Sequence, residues 1–187
     1  MRKVILSILS VATLSVLAAC GGPEGDMEDA INALHADMPV CKTYTRTNGQ
    51  PAEFPIDVKT YIGDPTDDPI LKGLEKMRMI QMDARKSGMA TRLTIELTSK
   101  GERAGVWNAE ESGFCIGTRK VHEIESFMYG DNGQNENFAR VDYTWTLQDT
   151  PEWFDEDAFA EVKGVGEPVR DQSPLEKNSN GWKAYLF

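Results

Sequence analysis

Three cysteines are the residues of this chain whose chemistry depends most on where the protein resides. The first, Cys20, closes an N-terminal segment in which Arg2 and Lys3 precede an apolar run, residues 4–17, interrupted only by Ser and Thr. A basic start, an apolar run and a small-residue end are typical of a secretory signal. The run has 14 residues, whereas a membrane-spanning helix needs about 20. We therefore expect residues 1–19 to be removed on export.

The residues Leu17, Ala18, Ala19 and Cys20 resemble the lipobox of bacterial lipoproteins. The resemblance implies a diacylglyceryl group on the Cys20 sulfur, cleavage before Cys20, and acylation of the new N-terminus by a fatty acid such as palmitate. Two or three acyl chains make a stable membrane anchor, whereas one chain binds reversibly. The alternative is an ordinary secretory signal that ends at Ala19 and leaves a free thiol on Cys20.

Residues 20–25 are expected to form the lipidated cysteine and a short flexible tether, since residues 21–25 carry little that could pack. In the enterobacterial sorting pattern that this resembles, Asp directly after the lipidated cysteine retains a lipoprotein in the inner membrane. Gly21 occupies that position, which implies an outer-membrane protein facing the periplasm. The inner membrane and the cell surface remain open as alternatives.

Export also bears on the other two cysteines, Cys41 and Cys115. An even pair in an oxidising compartment predicts one disulfide. On the chain-entropy model, closing a loop of about 75 residues stabilises a protein by roughly 4 kcal/mol at most. Two isolated buried thiols are the alternative. A nucleophilic cysteine is disfavoured because neither residue has a neighbouring His.

The composition excludes several classes of function. The 30 acidic and 20 basic residues give a formal charge of -10, and loss of Arg2 and Lys3 with the signal gives 30 against 18, or -12. Such a protein is a poor nucleic-acid binder. Two histidines and three cysteines leave little for a zinc site, and no glycine-rich phosphate loop is present. We predict no metal and no cofactor.

Carboxylates are the remaining candidates for chemistry. Asp64, Asp67 and Asp68 lack the spacing of a calcium-binding loop, and the adjacent Glu110 and Glu111 would point apart in a glycosidase. We therefore predict no catalytic residue. We predict a short acidic helix over residues 151–160. Five acids lie in this helix and at the position that follows it, Glu161. These acids could form a docking surface for a basic partner, and the alternative is a helix face that is simply solvated. The candidate binding residues are Glu152, Asp155, Glu156, Asp157 and Glu161.

The spacing of hydrophobic residues predicts the helices and strands of the chain. Residues 26–38 predict an amphipathic helix, with His35 one step off its apolar face as a partly exposed surface histidine. A helical stripe follows over residues 70–80, then a hairpin with a strand at 91–97. Alternation over residues 139–148 gives the strongest strand pattern, paired with 116–128, and Asn180 with Gly181 predicts a final hairpin.

Residues 69–105 resemble the second half of a winged-helix domain, with a helix, a two-stranded wing and an LTxKG-like exit. The second half of the chain resembles uncharacterised envelope lipoproteins of Gram-negative bacteria, a similarity that implies a fold and a location but no active site. The matching residues are Cys115, Gly117, Val121, Ile124, Arg140, Val141, Tyr143, Thr144, Trp145, Leu147, Asp149, Pro151, Trp153, Asn180, Gly181 and Trp182.

These patterns predict an α+β fold in one compact unit. Residues 26–113 form its helical, winged-helix-like half, and residues 114–187 form an antiparallel β-rich half. The expected function is that of a lipid-anchored, non-enzymatic envelope protein that binds either another envelope protein, for which a basic one is a candidate, or a cell-wall component. An inhibitor or immunity lipoprotein that neutralises a basic enzyme, and a small periplasmic hydrolase, are the alternatives.

Overall fold

Antiparallel β-sheet dominates the structure, a computed structural model that describes residues 22–45, 52–130 and 135–186. Three sheets are seen in this part of the chain, together with three α-helices and one 3-10 turn. The helices are α1 (Pro23–Ala36), α2 (Pro69–Lys76) and α3 (Ser99–Ala104). The strands are β1 (Cys41–Thr43), β2 (Ile56–Thr60), β3 (Ile80–Ser87), β4 (Ala90–Leu97), β5 (Trp107–Asn108), β6 (Gly113–Cys115), β7 (Thr118–Tyr129), β8 (Asn135–Gln148), β9 (Val169–Asn178) and β10 (Gly181–Ala184).

The largest sheet has the order β10-β9-β8-β7 and is covered on one face by α1. Its central strand β8 buries every second residue, including Val141, Tyr143 and Trp145, as the alternating sequence predicts. Helix α1 completes this core with Met27 and Ile31, both fully buried. The predicted pairing of β7 with β8 and the hairpin between β9 and β10 are confirmed.

Helix α1 begins at Pro23, so residues 23–25, which the sequence pattern assigns to the tether, form the first turn of a helix. Proline suits this position because its fixed φ matches the helix and its missing N–H needs no partner. Glu24 and Asp26 in the same turn interact favourably with the helix dipole. Helix α1 therefore starts three positions after Cys20 in the sequence.

The second sheet has the order β2-β4-β3 and packs against α2. Asp68 caps α2, because its carboxylate accepts hydrogen bonds from the Ile70 and Leu71 backbone N–H groups at 3.0 and 3.2 Å. Thr98 caps α3 in the same way through the Gly101 N–H. The helix and the hairpin predicted here are present, although α2 ends at Lys76 and Ile80 already begins β3.

The winged-helix assignment and the α+β class are nevertheless wrong, since the described chain is a β-rich protein with few helices. A winged helix needs three helices packed together. Helix α1 instead packs on β7 and β10. These two strands come well after α2 in the sequence. The β3-β4 hairpin, which the resemblance treats as a wing, gains a third strand and becomes the middle and one edge of a sheet.

The predicted acidic helix at residues 151–160 is also wrong, because this segment folds as a series of turns. Phe154 and Phe159 stack with ring centroids 4.9 Å apart. Residues five positions apart point about 140° away from each other on an α-helix, so a regular helix could not bring both rings together. The aromatic side chains thus hold an irregular backbone against α2.

Candidate functional site

Cys41 and Cys115 are joined, as predicted. Cys41 on β1 lies opposite Cys115 on β6, and a disulfide connects them across a sequence separation of 74 residues. Neither sulfur is therefore a free thiol or a nucleophile. Cys20, the predicted lipidation site, lies outside the described residues.

The acidic residues predicted to bind a partner lie together on the irregular segment that follows β8. Phe159 anchors this segment, since its buried ring covers Gly73 of α2 so closely that a Cβ there would lie 2.4 Å from the ring. All five predicted acids are exposed on the outer side, and they are Glu152, Asp155, Glu156, Asp157 and Glu161.

Two lysines of α2 engage part of this acidic surface. Lys72 donates to Glu161 at 3.3 Å and lies 3.4 Å from Asp67, while Lys76 donates to the Asp157 backbone oxygen at 2.7 Å. The two carboxylates raise the pKa of Lys72 through hydrogen bonds and charge. Exposed ion pairs of this kind contribute little to the stability of a fold.

The other four carboxylates carry charge without a cationic partner among the described residues. Asp155 accepts a hydrogen bond from the Ala158 N–H at 2.9 Å, which fixes its position. Glu152, Glu156 and Asp157 make no side-chain hydrogen bond or ion pair with any described residue. The segment thus presents a fixed and largely uncompensated cluster of negative charge.

A histidine that the sequence pattern places at the surface is in fact buried. His35 is only 2% exposed, and its Nε2 lies 3.0 Å from the Tyr143 hydroxyl. The surface prediction for His35 was wrong because His35 lies four residues after Ile31, which itself lies four residues after Met27, so all three share one face of α1. That spacing was the one available signal.

Burial governs the ionisation of this pair. Desolvation lowers the pKa of His35, with a further decrease from the nearby Arg119 charge and an opposing increase from Asp171. Desolvation also raises the pKa of Tyr143 to about 12. Both groups are consequently uncharged at neutral pH.

The pair borders a cleft of about 250 Å³ that also includes Arg119, Asp171 and Ser173. Arg119 lies 3.6 Å from Asp171 and covers the Trp145 ring at 4.7 Å, so the charges in the cleft compensate each other. The Ser173 hydroxyl donates to the Tyr185 carbonyl oxygen at 2.9 Å. The cleft could hold a small polar molecule, but its serine is committed to a structural hydrogen bond.

Comparison with protein-family models, with curated proteins and with solved structures finds no match to this chain. Within residues 22–45, 52–130 and 135–186, no group of three His, Cys, Asp or Glu side chains is placed to hold a metal ion. No helix in the same ranges is long and apolar enough to cross a membrane.

A further concave surface was not predicted. It is a groove of about 410 Å³ on the outer face of the β2-β4-β3 sheet. Charged side chains line it, because the outward positions of all three strands are polar while the inward positions, such as Leu93 and Ile95, are buried. The lining residues are Asp57, Gln81, Asp83, Arg85, Arg92, Thr94 and Glu96.

Proposed function

We propose that the protein is a lipid-anchored component of the bacterial cell envelope that acts by binding a basic protein and not by catalysis. One observation carries the binding proposal. Four carboxylates on the segment after β8 are exposed and have no cationic partner in the described structure, while the aromatic residues beneath them hold the backbone in place.

The proposed anchor rests on the lipobox-like residues that end at Cys20. The acyl chains would hold the protein in the outer membrane with its folded body in the periplasm. The disulfide supports this location, because disulfides form and persist in oxidising compartments such as the periplasm.

The proposed partner follows from electrostatics. A charge cluster on a fixed backbone attracts an oppositely charged surface over distances near the Debye length, and this attraction raises the association rate more than the final affinity. Glu152, Asp155, Glu156 and Asp157 supply that charge. Glu161 contributes less, because Lys72 already neutralises it.

The binding proposal takes one of two biological forms. The partner is either a structural envelope protein or a basic enzyme that this protein inhibits, as an immunity protein would. Capture of an active enzyme whose activity falls in the complex would establish the second form.

The hydrolase alternative has a specific place in the structure, the cleft at His35 and Tyr143, but that cleft does not support it. Among the residues that the structure describes, His35 Nδ1 is buried without a hydrogen-bond partner, and Nε2 is occupied by Tyr143. A general base must reach the proton that it removes. Neither ring nitrogen is available for this.

The proposal can be tested by crosslinking envelopes of the host, purifying the captured partner and measuring its association rate. The triple variant Asp155→Asn, Glu156→Gln, Asp157→Asn should slow association, and the wild-type rate should fall as the Debye length decreases from roughly 10 Å at 0.1 M salt to 3 Å at 1 M. Stability should change by less than about 0.5 kcal/mol, since the asparagine amide oxygen at position 155 can still accept the hydrogen bond from the Ala158 N–H.

The matched control removes the same amount of charge from an exposed acidic region elsewhere, through Glu102→Gln, Glu110→Gln and Glu111→Gln. This control should associate at the wild-type rate. A partner that binds both triple variants alike, and that is indifferent to salt, would show that the acidic segment is only a solvated surface.

A further inference from the structure

Three cations lie side by side on the outer face of the β2-β4-β3 sheet. The strand register places Lys59 directly opposite Arg92, and Arg92 directly opposite Arg85. Like charges at opposed positions destabilise a sheet. Arg92, in the centre, makes no hydrogen bond or ion pair with any described residue. The stability of the sheet therefore does not explain this cation row.

The charge of the sheet changes along its length. Two residues away from the cation row on each strand, Asp57 and Asp83 lie on either side of Thr94. Asp83 also forms an ion pair with Arg85. Toward the opposite end, Lys86 adds a fourth cation. Residues 59–64 and 83–92 contain four basic and two acidic residues, Asp64 and Asp83. This end of the sheet is positive, although the whole chain has a formal charge of -10.

Large apolar side chains extend beyond the cation row at the same end. Ile62 follows β2 and is 90% exposed, and Met89 in the turn between β3 and β4 is 91% exposed. The register of Thr60 with Thr91 places the two loops next to each other. Tyr61, 68% exposed, precedes Ile62 in the same loop, and Lys59 Nζ lies 5.1 Å from its ring centroid. We call Tyr61, Ile62 and Met89 the apolar tip.

We propose that the apolar tip and the cation row form a docking surface for an anionic phospholipid bilayer. Two to four residues separate the tip from the row, which at about 3.3 Å per residue is roughly 7 to 13 Å. Peripheral proteins bury apolar side chains about 5 to 10 Å into the boundary between headgroups and acyl chains. Insertion of the tip would thus bring Lys59, Arg92 and Arg85 to the level of the phosphates.

The shape of the surface favours lipid over an acidic protein. The tip residues project from two loops and each is largely accessible, so a rigid partner would need a separate pocket for each side chain. A fluid bilayer accepts them without a matching shape, and each cation near an anionic bilayer strengthens binding about five-fold. This surface is distinct from the acidic segment, and its test does not depend on the lipid anchor.

The test uses the full exported chain with Cys20→Ala, so that no acyl chain can attach it to lipid, labelled with carbon-13 on the methionine methyl groups and placed in lipid nanodiscs. The discs contain phosphatidylcholine alone or equal parts of phosphatidylcholine and phosphatidylglycerol, with a nitroxide near the carbonyl end of some acyl chains. The Met89 methyl resonance, assigned with Met89→Leu, should broaden strongly in the anionic discs and recover at high salt. Met128 on β7, which is 51% exposed, serves as the internal control and should not broaden.

A pair of matched variants tests the cation row. Lys59→Gln with Arg92→Gln should lower the equilibrium constant for tip insertion about 30-fold, since two cations are lost. The control, Arg103→Gln with Lys120→Gln, removes the same charge from two exposed sites that make no hydrogen bond or ion pair in the described structure. This control should retain the wild-type broadening of Met89.

Three results would overturn the proposal. If the Met89 methyl resonance broadens no more than that of Met128 in anionic discs, the tip does not enter lipid. Equal broadening in discs of phosphatidylcholine alone would show that the cation row does not recognise anionic lipid. An acidic protein that shifts the Met89 resonance in solution, with no broadening in discs, would assign the surface to a protein partner.

Discussion

His35 on α1 and Tyr143 on β8, separated by 108 positions in the sequence, meet through a 3.0 Å hydrogen bond inside the core. The bond fixes the C-terminal part of α1 to the central strand of the four-stranded sheet. Because both groups are removed from water, a positive charge on the His35 imidazole would be unfavourable in the folded state. His35 should therefore make the stability of the fold sensitive to mild acid.

The sign of this effect follows from the lowered pKa of His35. Above about pH 6.5, the ordinary histidine pKa, the imidazole is neutral in both the folded and unfolded states. As the pH falls from there toward the lower folded pKa, only the unfolded state takes up the proton. The free energy of unfolding should decrease by up to about 1.4 kcal/mol per pH unit in this window.

Urea unfolding between pH 7.5 and 5 measures this dependence. His35→Gln, which cannot titrate, should flatten the slope near pH 6, and His122→Gln, which removes an exposed histidine on β7, should retain it. A slope that is the same in wild type and His35→Gln would show that His35 does not carry the effect.

Gly73 on α2 is predicted to be sensitive to substitution by a larger residue. An added Cβ would lie 2.4 Å from the Phe159 ring, so the ring would have to move. Gly73→Ala should reduce the free energy of unfolding by about 1 to 3 kcal/mol, the range of overpacked cores. Gly25→Ala on α1 has no neighbour within 4 Å and should stabilise by about 0.5 to 1 kcal/mol. Equal effects in denaturant titrations would contradict this packing.

The disulfide should contribute to stability through the unfolded state. Replacing both Cys41 and Cys115 with Ala should cost up to roughly 4 kcal/mol, because the unfolded chain regains the freedom of a long loop. Denaturation with and without a reductant measures this. The reductant should destabilise the wild type and leave the variant unchanged. Free, alkylatable thiols at both positions in periplasmic material would contradict the pairing.

The anchor proposal predicts a defined chemical change at Cys20. Mass spectrometry of the protein from its host should find residues 1–19 removed and acyl chains attached at Cys20. Cys20→Ala should block lipidation and leave either an unprocessed precursor or a soluble form. Wild-type protein that carries no acyl mass would rule out the anchor.

The sequence predicted those elements whose periodicity is strong. The alternation around Val141 and Tyr143 indicated β8, and the stripe through Leu71 and Leu74 indicated α2. The pairing of Cys41 with Cys115 followed from parity and export. The two elements are predicted by the spacing of residues close together in the sequence, and the disulfide is predicted by the even number of cysteines.

The features that the sequence did not predict depend on packing between distant segments. Nothing near α1 indicates that it packs on the last strands instead of α2, which is why the winged-helix assignment was wrong. The stacking of Phe154 on Phe159 overrides the helical composition of their segment. The cation row exists only because register aligns Lys59, Arg92 and Arg85, which come from three separate strands.

If Cys20 carries the proposed anchor, the start of α1 at Pro23 sets the reach of the protein. Only Gly21 and Gly22 separate Pro23 from Cys20, and three fully extended steps of the chain span about 10 Å. A body anchored at Cys20 would therefore remain against its own bilayer, unable to extend across the periplasm to a distant layer. Its partners would have to come to the membrane, and a longer glycine-rich insert after Gly22 would be needed to release it.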